Sequence, residues 1–251
     1  MVELVYQLYK NHHYIFEEID MTEYLHELLL NNKNLIEQGD FENLYNNTRV
    51  GFKYELTQVL LACGIDPFIE AGKIFHHAFN YPEAEVNYTI VPGIKEIEES
   101  AFEGAELTSF TIPSTVKMIG KRAFWGSSIQ QVEFEPGAQE LVIGTSAFEN
   151  CGRLENLIIP DRCKIISSTA FRDAWLKTCK LSNNLIELGD FAFFNTDFAE
   201  IEIPKSIKYI GKAPFHNCYY LKKLRCPESI RGTKNYELLM YGITEDIVEW
   251  Y

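Results

Sequence analysis

The chain has 251 residues, of which 46% are hydrophobic and 24% are charged, a composition typical of globular proteins that excludes long disordered or collagen-like architecture. No apolar run is long enough to span a membrane, since that needs about 20 residues. The 23 basic and 36 acidic residues give a net charge of -13, which argues against direct nucleic-acid binding because such binding needs a basic surface.

The amino-terminal region is predicted to be helical. Asp20 and Glu23 have the spacing of a capping box in front of an apolar pattern with helical period. Residues 42–45 favour a short helix, and residues 53–61 a stronger one that ends at Gly64. We expect these helices to cover the first coil of the repeat array described next, because an uncapped solenoid end exposes apolar surface.

An internal repeat begins after residue 71. Ile or Leu stands five residues before each of seven phenylalanines, and these phenylalanines follow one another at steps of 22 to 24 residues. They are Phe79, Phe102, Phe124, Phe148, Phe171, Phe193 and Phe215. The constant register predicts stacked coils, each of which places its ring on the rings of its neighbours.

Each coil is predicted to contain one short strand. Phe110 and Ile112 are two residues apart and therefore share the core face, Pro113 ends the strand, and Gly120 is expected to permit a bend. The alternate residues point to solvent and form a concave row, which we interpret as the partner-binding surface. The row consists of Gln131, Glu133, Asn156, Ile158, Thr178, Lys180, Glu200, Glu202, Lys223 and Arg225.

The carboxyl-terminal residues 235–251 depart from the repeat. They contain two short apolar elements, residues 235–242 and residues 243–251. We interpret them as a second cap, and the alternative is an exposed aromatic tail that binds a partner.

The repeat resembles the BspA-type leucine-rich repeat family over roughly residues 72–231. Ile207, Ile210 with Gly211, Phe215 and Cys218 stand at the positions of its motif. The resemblance implies a parallel β-solenoid used for protein interaction. The expected fold class is therefore α+β, a right-handed parallel β-solenoid of roughly 22–24-residue leucine-rich repeats with an N-terminal helical cap and a short C-terminal cap.

The expected organisation has three parts: a helical capping region at residues 1–71, the solenoid at residues 72–234 and the C-terminal cap at residues 235–251. Residues 56–67, which run into the repeat, are similar to short leaderless leucine-rich proteins of phages and their bacterial hosts. Because residues 1–10 show no secretory leader, we expect a cytoplasmic protein of a bacterial or phage-infected host cell.

The sequence contains no motif for phosphate, dinucleotide or zinc-hydrolase chemistry and no serine-nucleophile motif. The six cysteines lack the C-x-x-C spacing of zinc modules and are interpreted as reduced thiols. The pairs His12–His13 and His76–His77 are poor chelates because neighbouring side chains diverge. We therefore expect no enzyme activity, no cofactor, no metal and no disulfide.

Two functions remain. The first is a non-catalytic module that binds another protein through the solenoid. The alternative is an acidic phage-type antagonist that inhibits a nucleic-acid-processing protein by occupying its basic surface, with an acidic face formed by Glu17, Glu18 and Glu23. Residues 1–85 hold five basic and fourteen acidic residues, although this excess also suits plain solubility. Neither direct nucleic-acid binding nor membrane binding is expected, and the oligomeric state stays open.

Overall fold

The computed structural model describes residues 19–251 except residues 63, 81–85 and 87, and it leaves undescribed the side chains of residues 19–23 and 26. Within the described residues, the amino-terminal part contains four helices and one 3-10 turn. The helices are α1 (Ile19–Asn31), α2 (Lys33–Gln38), α3 (Phe41–Asn47) and α4 (Lys53–Ala62), and the turn is Val50–Phe52. The predicted short helices are confirmed, and Gly64 follows α4 with a φ of 73°. The predicted capping box is wrong, because Asp20 lies inside α1 rather than before it.

Fourteen short strands follow. In chain order they are β1 (Lys73–Ile74), β2 (Glu96–Ile97), β3 (Ser109–Ile112), β4 (Met118–Ile119), β5 (Gln131–Phe134), β6 (Leu141–Ile143), β7 (Asn156–Ile158), β8 (Cys163–Ile166), β9 (Thr178–Lys180), β10 (Glu187–Leu188), β11 (Glu200–Glu202), β12 (Tyr209–Ile210), β13 (Lys223–Cys226) and β14 (Val248–Trp250). A last helix, α5, spans Lys234–Leu239 between β13 and β14.

The strands form two parallel faces with the core between them. One is a seven-stranded sheet in the order β1-β2-β4-β6-β8-β10-β12. The other, which we call the split sheet, consists of the ladder β3-β5-β7-β9 and the ladder β11-β13-β14. The parallel β-solenoid is therefore confirmed. Sequence reasoning missed the seven-stranded sheet, because its strands are mostly two residues long and give no visible alternation.

The core is built around the seven phenylalanines. From Phe79 to Phe193, consecutive rings stack with centroids 4.8 to 5.3 Å apart and planes within 9° of parallel. The last pair, Phe193 and Phe215, lies 5.8 Å apart at 22°. All seven rings are buried. The predicted register is thus confirmed.

In the described residues, the coils turn corners with left-handed backbone on either side of the phenylalanine. Two residues before the ring, φ lies between 52° and 58° at His77, Ser100, Arg122, Ser146, Thr169, Phe191 and Ala213. Two residues after the ring, the same region is occupied by Gly104, Gly126, Asn150, Asp173, Asn195 and Asn217. The second corner uses the residue types that tolerate this conformation, whereas most residues at the first corner do not favour it.

Gly120 has a different role from the predicted bend. A Cβ atom there would lie 2.8 Å from the backbone of Glu98 and Glu99 in the preceding coil. The glycine is therefore required because the backbones of adjacent coils approach closely, and not because of a positive φ.

The helices pack on the first coil through a polar contact and aromatic rings. The Tyr45 hydroxyl lies 2.6 Å from Oγ1 of Thr57. The Thr57 hydroxyl in turn donates a hydrogen bond to the carbonyl oxygen of Ala78 at 2.8 Å. The Phe68 ring packs against Phe75 and against Phe79, the first ring of the stack. The amino-terminal end of the array is thereby covered.

At the carboxyl-terminal end, the two elements that follow the repeat are the helix α5 and the strand β14. The last element continues the array as β14, which pairs in parallel with β13. Asn235 of α5 closes the edge of β12, because its Oδ1 accepts from the Ile210 amide and its Nδ2 donates to the Lys208 carbonyl. The aromatic tail is packed rather than free, since the Tyr251 hydroxyl donates to the Ile203 carbonyl at 2.6 Å.

Candidate protein-interaction surface

All ten residues of the predicted row lie on the solvent side of the split sheet. Their inward neighbours on these strands, such as Leu157, Ile201 and Leu224, are buried in the core. Eight of the ten are exposed, and Lys223 and Arg225 are half-buried. The alternation read from the sequence therefore places these residues on one face, and whether a partner binds there is a separate question.

The third repeat opens a cleft in this face. It is the longest, with 24 residues between consecutive phenylalanines, and the additional residues surround Pro136 and Gly137. As a result β5 and β7 pair only at Gln131 and Asn156, and beyond that point the strands diverge. The cleft between them has a volume of about 970 Å³, with Ile158 and Lys180 among its lining residues.

Arg162 fills the space beneath this divergence. Its guanidinium donates hydrogen bonds to three carbonyl oxygens, those of Val116 at 2.6 Å, Pro113 at 3.1 Å and Glu135 at 3.2 Å. The residue is buried, and burial lowers the pKa of the guanidinium, although an arginine stays charged in a protein. The three carbonyls thus stabilise a buried cation and fix the floor of the cleft.

A second opening separates the two ladders of the split sheet. β9 and β11 are neighbours, yet their strands share no ladder. Two adjoining clefts of about 660 Å³ and 460 Å³ lie at this break. Lys180 and Glu200 line both of them. Together the three clefts are lined by all ten residues of the predicted row.

Charges at the carboxyl-terminal end of the row are paired across strands. Arg225 forms an ion pair with Glu202, and Lys223 forms one with Glu249 at 2.9 Å. The guanidinium of Arg225 also lies 4.8 Å from the centre of the Tyr251 ring. These side chains are therefore held in place by their neighbours before any partner arrives.

The middle of the row is different. Among the described residues, neither Lys180 nor Glu200 has an ion-pair partner. On β7, Ile158 pairs with Lys180, and its side chain is 69% exposed. Ile158, Lys180 and Glu200 line the same cleft, so one apolar and two charged side chains are available there for contact with a partner.

Three exposed aromatic residues lie in the loops that lead into β9 and β13, and the predicted row did not include them. Trp175, Tyr219 and Tyr220 are 62%, 81% and 61% exposed. Trp175 precedes β9 by three residues, and Tyr220 precedes β13 by the same number. Trp and Tyr are enriched among the residues that dominate binding energy at interfaces. Their similar positions before a strand of the repeat are the feature of the sequence that could have identified them.

The acidic face of the alternative function is largely beyond the structural description. Glu17 and Glu18 lie outside the described residues, and Glu23 lies in α1 with an undescribed side chain. Within the described part of the chain, no group of three or more His, Cys, Asp or Glu side chains is arranged to hold a metal ion. None of the described helices is both long enough and apolar enough to cross a membrane.

The coils, the stacked phenylalanines and the two parallel faces define a leucine-rich repeat solenoid. The chain matches the BspA type leucine-rich repeat region in six copies over residues 72–142 and 141–245. The chain therefore belongs to the BspA-type leucine-rich repeat family. Proteins of this class generally act as protein-interaction scaffolds and are typically non-catalytic.

Two solved bacterial structures are similar to this chain, and the first of them shares the fold. A leucine-rich repeat protein from Bacteroides ovatus matches with 24% identity and a TM-score of 0.50, over 71% of this chain and 52% of that chain. A leucine rich cell surface protein from Faecalibacterium prausnitzii matches with 22% identity and a TM-score of 0.44, over 61% of this chain and 50% of that chain. The chain thus spans about half the length of each, and no curated protein matches the sequence.

Proposed function

We propose that this protein is a non-catalytic module that binds a partner protein through the split sheet. The observation that carries the proposal is the middle of the row, where exposed Ile158 pairs with Lys180 and both line a cleft together with Glu200; neither charge has an ion-pair partner among the described residues. Ile158 and Lys180 are paired in the β7-β9 ladder, where neighbouring strands are about 4.8 Å apart, so little backbone ordering is needed there when a partner binds.

The neighbouring residues suit the same role. The exposed rings of Trp175, Tyr219 and Tyr220 offer large apolar area at low conformational cost. The paired charges of Arg225 and Glu202 add polar contacts at the rim of the surface. An apolar and aromatic centre with a charged rim is the usual anatomy of a protein interface.

The test uses the full chain as bait in an extract of its native cell, with captured proteins quantified by mass spectrometry. Ile158→Asp, Lys180→Glu and Glu200→Lys should each reduce one captured protein at least tenfold. Lys33→Glu, which reverses an exposed lysine of α2 outside both sheets, is the control and should capture the same protein fully. A partner held equally by the three row variants would overturn the proposal.

The acidic antagonist remains an alternative prediction. Within the described residues no contact or cleft singles out an acidic amino-terminal surface. Its test is direct: reversal of Glu17, Glu18 and Glu23 to Lys should abolish capture of a basic, nucleic-acid-processing protein, whereas the row variants should retain it. A partner with a basic surface belongs to this alternative, and a cytoplasmic location is predicted for either function.

A further inference from the structure

The seven-stranded sheet presents an apolar row on its outer side. Met118 of β4 pairs with Val142 of β6, and Val142 pairs with Ile165 of β8, so the three side chains lie next to one another across three strands. All three are half-buried although they point away from the core. Two strands further along, Tyr209 stands in the same row and is 64% exposed.

Four lysines lie beside it, each one residue before the outward-facing residue of its coil: Lys95, Lys117, Lys164 and Lys208. The series is interrupted twice, by Ile186 and by buried Leu141, which pairs with Cys163 so that Lys164 lies at a bulge. Backbone bonds from Lys117 to Lys95 and from Lys208 to Ile186 show the alignment on either side of the bulge. In the described structure none of the four lysines has an ion-pair partner, whereas Lys73, Lys121, Lys177 and Lys223 each have at least one.

The charge of this surface is opposite to that of the chain. The two rows contain the four lysines and two acidic residues, Glu96 and Glu187, in a protein with a net charge of -13. Unpaired lysines beside exposed apolar groups complement a partner that is apolar on one side and acidic next to it. The overall negative charge disfavours anionic membranes and nucleic acids as occupants.

The spacing favours a helix as the bound element. Neighbouring strands are about 4.8 Å apart, so the row from β4 to β12 advances by about that distance per coil. An α-helix laid along the row repeats its contact face every 5.4 Å, whereas alternate residues of an extended strand are separated by about 6.6 Å. The helix therefore matches the row better over several coils.

We propose that the outer side of the seven-stranded sheet is a second docking surface, formed by Met118, Val142, Ile165 and Tyr209 with the flanking lysines, and that it binds an acidic amphipathic helix of a partner protein. This surface lies on different strands from the row of the split sheet. The two sites can therefore be tested separately, and either can fail without the other.

The experiment measures binding of two labelled, end-capped 18-residue peptides by fluorescence anisotropy at low and at physiological salt. Both carry leucines along one helical face; one has glutamate on the flanks and the other has lysine at the same positions. The full-length protein should bind the glutamate peptide saturably and at least tenfold more tightly than the lysine peptide. Equal affinities, or no saturable binding, would overturn the proposal.

Variants locate the peptide. Ile165→Ser and the double change Lys117→Glu with Lys164→Glu should each weaken binding of the glutamate peptide at least tenfold. Their matched controls outside both proposed surfaces, Val50→Ser and Lys33→Glu with Arg153→Glu, change exposed side chains and should leave it within twofold. Circular dichroism checks that each variant is folded. If Ile165→Ser is unstable, the double charge variant tests the site alone, because it changes only exposed or half-buried side chains. Loss in the controls and not in the surface variants would refute the site.

Two further measurements address other occupants. Little protein should cosediment with vesicles of phosphatidylcholine and phosphatidylserine. In sedimentation velocity, the wild-type protein and Ile165→Ser should show the same association state. Vesicle binding that Lys117→Glu with Lys164→Glu abolishes would assign the surface to membranes instead. Self-association lost with Ile165→Ser would assign it to a second copy of the chain.

Discussion

The Nη1 atom of Arg162 donates a hydrogen bond to the carbonyl oxygen of Val116 at 2.6 Å, across 46 residues of sequence. Val116 lies two coils before Arg162, in the repeat that precedes the longest one. This bond, with those to Pro113 and Glu135, fills the space that the longer third repeat leaves open. One buried side chain thus compensates for an irregularity in the repeat length.

Arg162→Met should therefore destabilise the protein by about 3 kcal/mol, because three buried carbonyl oxygens lose a charged donor. Urea unfolding followed by circular dichroism measures the change. The matched control is Arg153→Met, which changes an exposed arginine in the same coil and should stay within about 0.5 kcal/mol of wild type. A wild-type midpoint for Arg162→Met would mean that water satisfies the carbonyls equally well.

Phe148→Ala should destabilise the protein by about 3–5 kcal/mol, because it removes a fully buried ring in contact with the rings of Phe124 and Phe171. Each coil contacts mainly its neighbours, so the cavity can also divide unfolding into two transitions. Calorimetry detects both effects, and Trp175→Ala, at an exposed ring, is the control. An unchanged melting curve for Phe148→Ala would contradict the importance of the stack.

The sequence predicted the stack and the row because both depend on simple periods. A repeat of 22 to 24 residues places Phe124 over Phe102, and a period of two places Glu200 and Glu202 on the solvent side. It did not predict the corner at Phe191, since a bulky residue with a φ of 53° gives no sign in the sequence. Nor did it predict the break between β9 and β11, because that coil has the ordinary length of 22 residues.

Stability should fall as the pH decreases from about 6.5 to about 4, in part because of His77. Burial, and then the neighbouring His76 and Lys53, lower the pKa of His77 from its ordinary 6.5 to about 4. In this window the unfolded chain takes up a proton that the folded chain does not, which favours unfolding. His77→Asn should reduce the pH dependence of the urea midpoint, and asparagine tolerates the φ of 58° at this position.

The matched control for the pH experiment is Thr169→Asn, which changes the equivalent corner four coils away without removing a titratable group. Its urea midpoint should keep the wild-type dependence on pH. If His77→Asn and Thr169→Asn show the same dependence between pH 4 and 6.5, His77 does not contribute to it.

Six free thiols should be titrated when the protein is denatured without reductant, as expected for reduced cysteines. In the folded protein, burial raises the pKa of Cys151, Cys163 and Cys226 to about 12, so these three should react with a thiol reagent far more slowly at pH 8. A count below six in protein kept free of air would contradict the reduced state and the expected cytoplasmic location.

The break in the split sheet should be visible as rapid amide hydrogen exchange. In the regular ladders, the Thr178 amide donates to the Glu155 carbonyl at 3.1 Å, and the Lys223 amide donates to the Ala199 carbonyl at 3.2 Å. Glu200 occupies the equivalent position between them, yet its amide makes no such bond to Lys177 within the described structure. Since exchange requires an amide that is not hydrogen-bonded, the Glu200 amide should exchange at least tenfold faster than those of Thr178 and Lys223.

The same comparison is available at the other end of these strands. The amides of Ile159 and Ile203 donate to the carbonyls of Lys180 and Arg225, whereas the equivalent bond from Leu181 to Glu202 is missing. Leu181 should therefore exchange faster than Ile159 and Ile203, as measured by nuclear magnetic resonance. Equal protection at all these positions would show that the two ladders close in solution. Protection of Glu200 that appears only when a partner is added would place that partner over the break, beside the unpaired charge of Lys180.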